Sequence, residues 1–328
     1  MIKRIRLFRT DCTDPYRNLA AEQCLLETAP EDSCTLYLWQ NRHTVVIGRN
    51  QNAWRECRTA KLEADGGFLA RRLSGGGAVF HDLGNLNFTF LVHKKDYDLS
   101  RQLGVIARAC RALGIPAEPS GRNDLLADGR KFSGNAFYTH GGRSYHHGTL
   151  LVDADLSQMG RYLSPSRAKL ESKGVASIPA RVVNLRELRP ELTIAGMEDA
   201  LEAAFQEAYG LPAEQLAASA LDEERVAALA ARNAGWDWLY GQETACTLQC
   251  VDRFAWGDIE LRLTVEGGTV VRASVYTDAM DWTLAPAVEE ALTGCRFRLE
   301  DMAQRLCAAG LAEGAGEDLR CLLARQNL

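Results

Sequence analysis

The chain has 328 residues, of which 46% are hydrophobic and 25% are charged, a composition typical of a globular protein with about two domains. Its 38 Lys and Arg residues and 43 Asp and Glu residues give a net charge of −5, which argues against general nucleic-acid binding. No apolar run approaches the roughly 18 residues of a membrane span, and the start of the chain does not resemble a signal peptide. We therefore expect a cytoplasmic protein with neither a nucleic-acid nor a membrane partner.

Ten cysteines are scattered along the chain, mostly within apolar helix or strand patterns. In a reducing compartment such residues act as small buried hydrophobic side chains. Cys246 and Cys250 form a close pair, but a zinc site requires a second Cys or His pair, and the sequence has none nearby. We therefore expect no zinc site at this pair.

Strand patterns and helix patterns alternate in the N-terminal part of the chain. Asp14 and Pro15 are typical of a helix start, and Gly114 with Pro116 are typical of a helix end. The predicted elements are a strand at 1–8, a helix from Pro15 to Leu26, strands at Leu36–Trp39 and Thr44–Ile47, a helix from Trp54 to Gly66, a strand at Leu86–Val92 and a helix capped by Ser100.

Two β-hairpins follow this helix. Asp128-Gly129 suits a tight turn between antiparallel strands, and Gly141-Gly142 marks the tip of a second hairpin that continues to Val152. Together they are predicted to bring four chemically useful side chains to one sheet surface. These are Asn123, Asp124, Lys131 and His147.

The pattern changes after residue 155. Two helices are predicted around a basic, weakly patterned stretch from Ser164 to Asn184, and the periodicity lapses at 235–244, where we place a linker. The predicted helices are Met197–Tyr209 and Glu223–Arg232; beyond the linker come strands at Thr247–Cys250, Glu260–Val265 and Val270–Tyr276, then helices at Pro286–Leu292, Leu299–Cys307 and Leu319–Gln326. The pattern indicates a large α/β domain followed by a small α+β domain.

The most informative motif is the glycine-rich run within Arg71–Asn85. Gly75-Gly76-Gly77 have no Cβ atoms to block contact between the backbone and a ligand, and successive N–H groups of such a loop can bind an anion. Arg71 and Arg72 can add contacts to a phosphate or carboxylate. The motif differs from the P-loop pattern, and a flexible turn with two solvated arginines is the alternative.

The first predicted hairpin carries a second candidate group. Lys131 is accompanied by Asp124 and by the small pair Ser133-Gly134, which leaves room for a ligand beside the strand. Asp124 could bind magnesium, orient a ribose or orient Lys131 itself. A solvated lysine at a strand edge is the alternative.

His146 and His147 are neighbours on a predicted strand, so they face opposite sides and cannot bind one metal ion together. At most one of them lines a pocket. The basic stretch is either a loop that closes over a charged intermediate or a solvated loop; its cations are Arg161, Arg167, Lys169, Lys173 and Arg181. The sequence contains no nucleophile elbow or zincin motif, so it offers no candidate for covalent catalysis.

These motifs, in this order and at these distances, resemble bacterial lipoate–protein ligases of the biotin/lipoate protein ligase family. The segments that carry the resemblance are Arg71–Asn85, Gly121–Asp124, Arg130–Gly134 and His146–Leu151, with Thr44–Arg49 and Phe254–Gly257 in support. The resemblance implies a mixed-sheet catalytic domain at 1–243 and an α+β accessory domain at 244–328.

The resemblance also implies a reaction in two steps. Lipoate and Mg-ATP would give lipoyl-AMP and pyrophosphate, and the lipoyl group would then pass to a lysine of a lipoyl domain of a 2-oxoacid dehydrogenase E2 subunit or of the glycine cleavage H protein. Lys131 would be catalytic, and Asp124 would bind Mg²⁺. The implied ATP-binding residues are Arg72, Gly77, Ala78, Val79, Phe80, Asn123, Asp124 and Lys131. The implied lipoate-binding residues are Arg71, Ser74, Gly76, His81, Asn85, Lys131, Ser133, Gly134 and His147.

Asn135, Phe137 and Gln23 depart from the family pattern, and we expect these departures to affect the acid pocket more than the nucleotide site. One alternative function is an ATP-independent octanoyl or lipoyl transferase, for which Cys57 or Cys110 would have to reach the pocket. A non-catalytic lipoate-binding protein is a second alternative. A biotin ligase fits less well, because its loop is rich in arginine rather than in glycine.

Overall fold

The computed structural model describes residues 2–121, 124–164, 182–240, 248–311 and 314–326. Two units, each with its own apolar core, follow one another along the chain. The N-terminal unit (residues 2–240) contains an eight-stranded sheet and a three-stranded sheet, and the C-terminal unit (residues 248–326) contains a second three-stranded sheet. The mixed α/β fold predicted from the sequence is confirmed.

Fourteen strands are present in the described residues. They are β1 (Arg4–Arg9), β2 (Ser33–Trp39), β3 (Thr44–Ile47), β4 (Phe68–Arg71), β5 (Val79–His81), β6 (Asn85–His93), β7 (Ala117–Ser120), β8 (Asp124–Ala127), β9 (Arg130–His140), β10 (Arg143–Leu151), β11 (Ala213–Leu216), β12 (Leu248–Phe254), β13 (Gly257–Glu266) and β14 (Thr269–Thr277).

The α-helices of the described residues are α1 (Pro15–Glu27), α2 (Ala53–Glu56), α3 (Thr59–Ala64), α4 (Leu99–Ala112), α5 (Leu156–Tyr162), α6 (Leu185–Leu188), α7 (Ile194–Tyr209), α8 (Glu223–Ala234), α9 (Trp236–Leu239), α10 (Leu284–Leu292), α11 (Leu299–Ala308) and α12 (Ala315–Ala324). Short 3₁₀ turns lie at Lys94–Asp96 and Ala218–Ala220. Within the described ranges, no helix combines the length and apolarity that a membrane span requires.

The large sheet has the strand order β11-β1-β2-β6-β10-β9-β8-β7. Strands β11, β1 and β2 run parallel to one another, and every later pair is antiparallel. In the small sheet, β3 lies between parallel β4 and antiparallel β5. The two predicted hairpins, β8-β9 and β9-β10, therefore extend the central strands of the large sheet towards one edge.

The two faces of the large sheet differ in character, as strand β6 shows. Leu86, Phe88 and Phe90 face an apolar core that is covered by α4 and α7. The alternate side chains Asn87 and Thr89 point to the opposite face, because side chains alternate along a strand. One face of the sheet thus supplies the main core, and the other supplies a polar floor.

Tertiary contacts changed two local predictions. The helix predicted from Trp54 to Gly66 is two short helices, because Cys57 adopts an extended conformation and forms an isolated bridge with Leu163. Asp98 rather than Ser100 caps α4, since its carboxylate accepts the Arg101 N–H at 2.9 Å. The predicted turn at Asp128-Gly129 is present, with positive φ at both residues.

The C-terminal unit packs three helices on an antiparallel sheet. The strand order is β12-β13-β14, and the core contains side chains from all three strands and from α10, α11 and α12. Cys250 lies in this core with 2% of its surface exposed, as expected for a small buried hydrophobic residue, whereas Cys246 lies outside the described residues.

The C-terminal unit docks onto the glycine-rich loop. The Gly76 N–H donates to the Ala279 carbonyl at 3.0 Å, and the Thr277 N–H donates to the Asn50 carbonyl at 2.9 Å. A Cβ atom at Gly75 would lie only 2.2 Å from the Ala279 oxygen. Glycine at position 75 is therefore required by the close approach of the two units.

We predict that Gly75→Ala weakens this docking, because the added methyl group cannot share space with the Ala279 oxygen. Amide hydrogen exchange at Gly76 and Thr277 is expected to become at least about tenfold faster. Gly104→Ala is the matched control, since a Cβ at this α4 position meets nothing within 4 Å. Unchanged exchange at both amides in Gly75→Ala would contradict the prediction.

Candidate functional site

A cavity of about 520 Å³ lies on the polar face of the large sheet. The buried residues Trp39, His81 and Asn87 form its inner end, and the partly exposed Asp124 and Lys131 form its mouth. The glycine-rich loop and the C-terminal unit also contribute to its lining. Their lining residues include Arg72, Gly76, Gly77, Ala78, Val79, Arg253, Trp256, Asp278 and Met280.

Arg72 braces the glycine-rich loop from inside. Its Nη2 donates to the carbonyls of Gly75 and Gly77, both at 2.8 Å, and its Nε donates to Ser74 Oγ at 3.0 Å. Burial lowers the pKa of Arg72 to about 10, so the side chain stays charged at neutral pH. The loop therefore has a fixed shape and a buried positive charge next to the cavity.

Arg71 lies behind the cavity, outside its described lining. Its guanidinium donates to carbonyls of Gln51 at 2.6 Å, Leu239 at 2.6 Å and Trp238 at 2.9 Å. Burial lowers its pKa to about 10 as well. The structure thus gives Arg71 a bracing position, whereas the resemblance implies that it binds lipoate.

Lys131 and Asp124 face each other on the β8-β9 hairpin, with Lys131 Nζ 2.7 Å from Asp124 Oδ1. A Cβ at Gly134 would lie 3.0 Å from Lys131 Nζ, so the glycine leaves room for the lysine chain. Ser133 is buried behind these residues, and its Oγ accepts a hydrogen bond from Asn135 at 3.5 Å. Asn123 lies outside the described residues, as do residues 165–181 of the basic stretch.

A buried hydrogen-bond chain connects the sheet floor to the loop. Glu22 Oε1 accepts from Thr89 Oγ1 at 2.7 Å and lies 2.8 Å from His147 Nδ1. His147 Nε2 lies 2.8 Å from Ser74 Oγ, which also accepts from Arg72. Glu22, His147, Ser74 and Arg72 thus form one continuous chain of side chains from the sheet floor to the loop.

His146 lies on the opposite face of β10, as predicted for a neighbour of His147. Its ring packs against Phe88 and Phe90, and its nitrogens lie 2.8 Å from Asn135 Oδ1 and 3.1 Å from Gln102 Oε1. Burial lowers the pKa of His146 to about 3, so the imidazole is neutral.

Cysteines and metal clusters are missing from the described part of the cavity. No cysteine is among its described lining residues, and Cys57 and Cys110 are buried in apolar clusters elsewhere. Burial raises the pKa of both thiols to about 12. In the described residues no three His, Cys, Asp or Glu side chains are grouped as a metal site, and the cavity lining contains two carboxylates, Asp124 and Asp278.

Several residues of the site were not predicted from the sequence. Trp39 and Asn87 line the cavity, Glu22 is buried behind His147, and the C-terminal unit adds Arg253 and others. The alternation of polar residues with apolar ones in β6 is a signal that could have located Asn87. In the C-terminal unit, the segment Phe254–Gly257 supported the family resemblance, but nothing in the sequence placed it at the cavity, where Ala255, Trp256 and Gly257 lie.

The three departures from the family pattern lie in different environments. Asn135 lines the cavity, whereas the Phe137 ring packs against His146, 5.2 Å between centroids. Gln23 lies on the outer side of α1, where it bonds with Glu27 and Arg232. Asn135 is among the lining residues of the cavity, but its side-chain Oδ1 lies 2.8 Å from Nε2 of His146, on the opposite face of the sheet.

Comparison with known proteins places this fold among protein ligases. A model of the lipoyl protein ligase A/B catalytic domain matches residues 14–206, and a model of the bacterial lipoate protein ligase C-terminus matches residues 243–318. The chain therefore belongs to the lipoate–protein ligase family, as the sequence motifs indicated.

Solved structures agree with this assignment. LipL1 of P. falciparum, solved in complex with lipoate, is 24% identical with a TM-score of 0.86, covering 98% of this chain and 99% of that one. A bipartite lipoate protein ligase from Thermoplasma acidophilum, studied with its E2 lipoyl domain, is 25% identical with a TM-score of 0.62, covering 76% and 100%. A lipoate-protein ligase A bound with ATP is 25% identical with a TM-score of 0.60, covering 73% and 98%.

We predict that Glu22→Leu lowers the free energy of unfolding by about 2–4 kcal/mol, because the Thr89 hydroxyl and the His147 Nδ1–H lose their buried acceptor. Gln23→Leu, at the next position on the outer side of α1, is expected to cost no more than about 0.5 kcal/mol. Urea denaturation of both variants measures the difference. Equal losses in the two variants would contradict a special role for Glu22.

Stability is expected to fall as pH falls below the ordinary histidine pKa of 6.5. Buried neutral His146 has its pKa lowered to about 3, so the unfolded chain binds a proton that the folded chain does not. The cost is about 1.4 kcal/mol per pH unit. The variant His146→Phe lacks this group. The amount by which its free energy of unfolding lies below that of wild type should therefore decrease by about 1.4 kcal/mol per pH unit between pH 6 and pH 4. Parallel stability curves in urea titrations would contradict the shift.

Proposed function

We propose that the protein is an ATP-dependent lipoate–protein ligase. It would activate lipoate to lipoyl-AMP, release pyrophosphate and transfer the lipoyl group to a lysine of a carrier domain. The observation that carries this proposal is the position of Lys131 beside Asp124 at the mouth of a cavity whose wall contains the buried Arg72. We assign adenylation to residues 1–243 and an accessory role to residues 244–328.

In the first step an oxygen of the lipoate carboxylate attacks the α-phosphorus of ATP. The bond from this phosphorus to the oxygen bridging to the β-phosphate breaks, and pyrophosphate leaves. Two anions must approach each other, so cations and oriented N–H groups have to offset their repulsion. Lys131 and Arg72 supply fixed positive charge at the cavity, and Arg253 adds a third cation from the C-terminal unit.

ATP is proposed to lie along the glycine-rich loop and the mouth. Gly77, Ala78 and Val79 line the cavity there, and Phe80 follows on β5. Mg²⁺ usually binds to proteins through one or two carboxylates together with substrate phosphates, and the carboxylate of Asp124 fits that mode. Magnesium would neutralise phosphate charge when bound. Lipoate would occupy the inner part of the cavity, with its carboxylate towards Lys131.

In the second step the ε-amine of the acceptor lysine attacks the lipoyl carbonyl carbon. An amide bond forms, the bond to the AMP oxygen breaks, and the amine loses a proton. Lys131 would stabilise the negative charge that develops on the carbonyl oxygen. We further propose that the C-terminal unit moves aside to admit the acceptor, because its residues Arg253, Trp256 and Met280 line the cavity.

No covalent enzyme intermediate is proposed. Ser74, His147 and Glu22 are connected in the order of a serine–histidine–acid triad, but Ser74 Oγ accepts a hydrogen bond from Arg72. Ser74 is fully buried and is not among the described lining residues of the cavity. This chain therefore serves better as a brace for the loop than as a nucleophile.

The ATP-independent transferase is less well supported. Cysteine-dependent transfer needs a thiol in the pocket, and Cys57 and Cys110 lie in other apolar clusters. The proposed protein partners are lipoyl domains of 2-oxoacid dehydrogenase E2 subunits and the glycine cleavage H protein. The T. acidophilum ligase, which was studied with its E2 lipoyl domain, supports the first of these partners.

Pyrophosphate release with Mg-ATP and lipoate tests the adenylation step. Lys131→Ala is expected to lower the rate by at least about 100-fold, because it removes a cation from the reacting groups. Lys95→Ala, at an exposed lysine that pairs with Glu31, is the matched control and should retain the wild-type rate. Mass spectrometry of an added lipoyl domain then tests the transfer step.

Two outcomes would contradict the proposal. If folded wild-type protein releases no pyrophosphate with any acid, the remaining functions are those of a lipoate-binding protein or an ATP-independent transferase. Modification of the lipoyl domain from an acyl-carrier thioester without ATP would favour the transferase.

A further inference from the structure

The inner end of the cavity contains two buried polar side chains with unused nitrogen atoms. His81 is 4% exposed and Asn87 is 2% exposed, and both line the cavity. His81 Nε2 and Asn87 Nδ2 have no hydrogen-bond partner among the described residues. Buried polar atoms are rarely left unpaired, so a ligand group that reaches this end is expected to satisfy them.

Neighbouring carbonyls fix His81 as a donor towards the cavity. Asn18 Nδ2 donates to the main-chain carbonyls of Cys12 at 2.9 Å and Gln40 at 2.8 Å, and Asn41 Oδ1 lies 3.0 Å from the same nitrogen. Asn41 therefore turns its own Nδ2 to His81 Nδ1, at 3.3 Å. Since Nδ1 accepts, the proton of the neutral imidazole is on Nε2.

In the structure the amide nitrogen of Asn87 is the second donor without a partner among the described residues. Its Oδ1 accepts from Asn85 Nδ2 at 3.0 Å. Trp39, opposite Asn87 on β2, donates its own indole N–H to Thr89 at 3.1 Å and so presents an apolar ring to the cavity. The Trp39 and His81 rings are in edge contact, 6.4 Å between centroids. The inner end is thus an aromatic wall that carries two N–H donors.

A purely hydrocarbon chain end would fill the inner end of the cavity and exclude water from it. The N–H groups of His81 and Asn87 would then have no hydrogen-bond acceptor. Sulfur differs from a methyl group here, because it is a weak hydrogen-bond acceptor and packs well against aromatic rings. Lipoate and octanoate have the same eight-carbon acid chain, and lipoate adds two ring sulfurs at the far end. The inner end therefore distinguishes these two acids by chemistry rather than by length.

We propose that His81 and Asn87 form a sulfur-binding end of the cavity that favours lipoate over octanoate. The inference rests on the proposed function, since it assumes that the acid lies with its carboxylate at Lys131. Asn87 is then a specificity-determining residue. His81 contributes both to the position of the bound acid and to the specificity for lipoate.

The test compares kcat/KM of pyrophosphate release for lipoate and for octanoate. Wild type is expected to favour lipoate by at least about tenfold, the effect of one unpaired buried donor. Asn87→Leu should lower that preference about tenfold, because the apolar side chain no longer needs an acceptor. His81→Phe is a second variant with the same expected direction, should Asn87→Leu fold poorly.

Phe88→Leu is the matched control, because its side chain lies next to Asn87 in sequence but on the opposite face of β6. It should leave the ratio of the two acids unchanged, as should Lys131→Ala, which acts at the carboxylate end for both acids.

The outcomes separate the two proposals. Equal use of the two acids by wild type, or an unchanged ratio in both folded variants, overturns the sulfur-binding end and leaves the ligase intact. Absence of pyrophosphate with every acid overturns the ligase. In that case, calorimetry measures the affinities for lipoate and for octanoate without ATP. The ratio of the two affinities in wild type and in the variants then tests the sulfur-binding end.

Discussion

Successive side chains of a strand must point to opposite faces, and the site depends on that constraint. In β6, Phe88 and Phe90 complete the main core while Asn87 and Thr89 form the cavity floor. A shift of one residue in register would bury the polar floor and expose the core. The strongly specified core therefore holds the polar residues of the site in position without a contribution from the ligand.

Buried polar groups around the cavity fall into two kinds. Arg71, Arg72 and Glu22 have their hydrogen-bonding groups engaged with carbonyls or side chains of the protein, so they fix the glycine-rich loop and the floor. His81 and Asn87 each keep a nitrogen without a partner in the described residues. A buried donor without a partner lowers the stability of the protein. Because these two donors lie at the end of a cavity, a bound ligand can supply the missing acceptor.

The C-terminal unit completes a site that the large sheet begins. Its loop at Ala279 contacts the backbone of Gly75 and Gly76 so closely that a side chain at position 75 has no room. The run of glycines thus serves the contact between the units as well as ligand access. Domain arrangement and loop shape are therefore linked through this close backbone contact.

The sequence by itself determined the features that depend on short-range backbone preferences. The turn at Asp128-Gly129, the opposite faces of His146 and His147, and the mixed α/β fold are present as predicted. The motifs also pointed to Arg72, Lys131, Asp124 and His147, which line the cavity, whereas their roles in the reaction remain predictions.

Only the tertiary structure decided which neighbours face the cavity. Arg71 points away and Arg72 points inward, Glu22 is buried and Gln23 is not, and Ala279 meets a loop some 200 residues earlier in the chain. The orientation of these side chains depends on packing between elements that are distant in sequence. Local propensity and periodicity do not encode such packing. Sequence motifs thus identified the family and the candidate residues, and long-range packing placed each group.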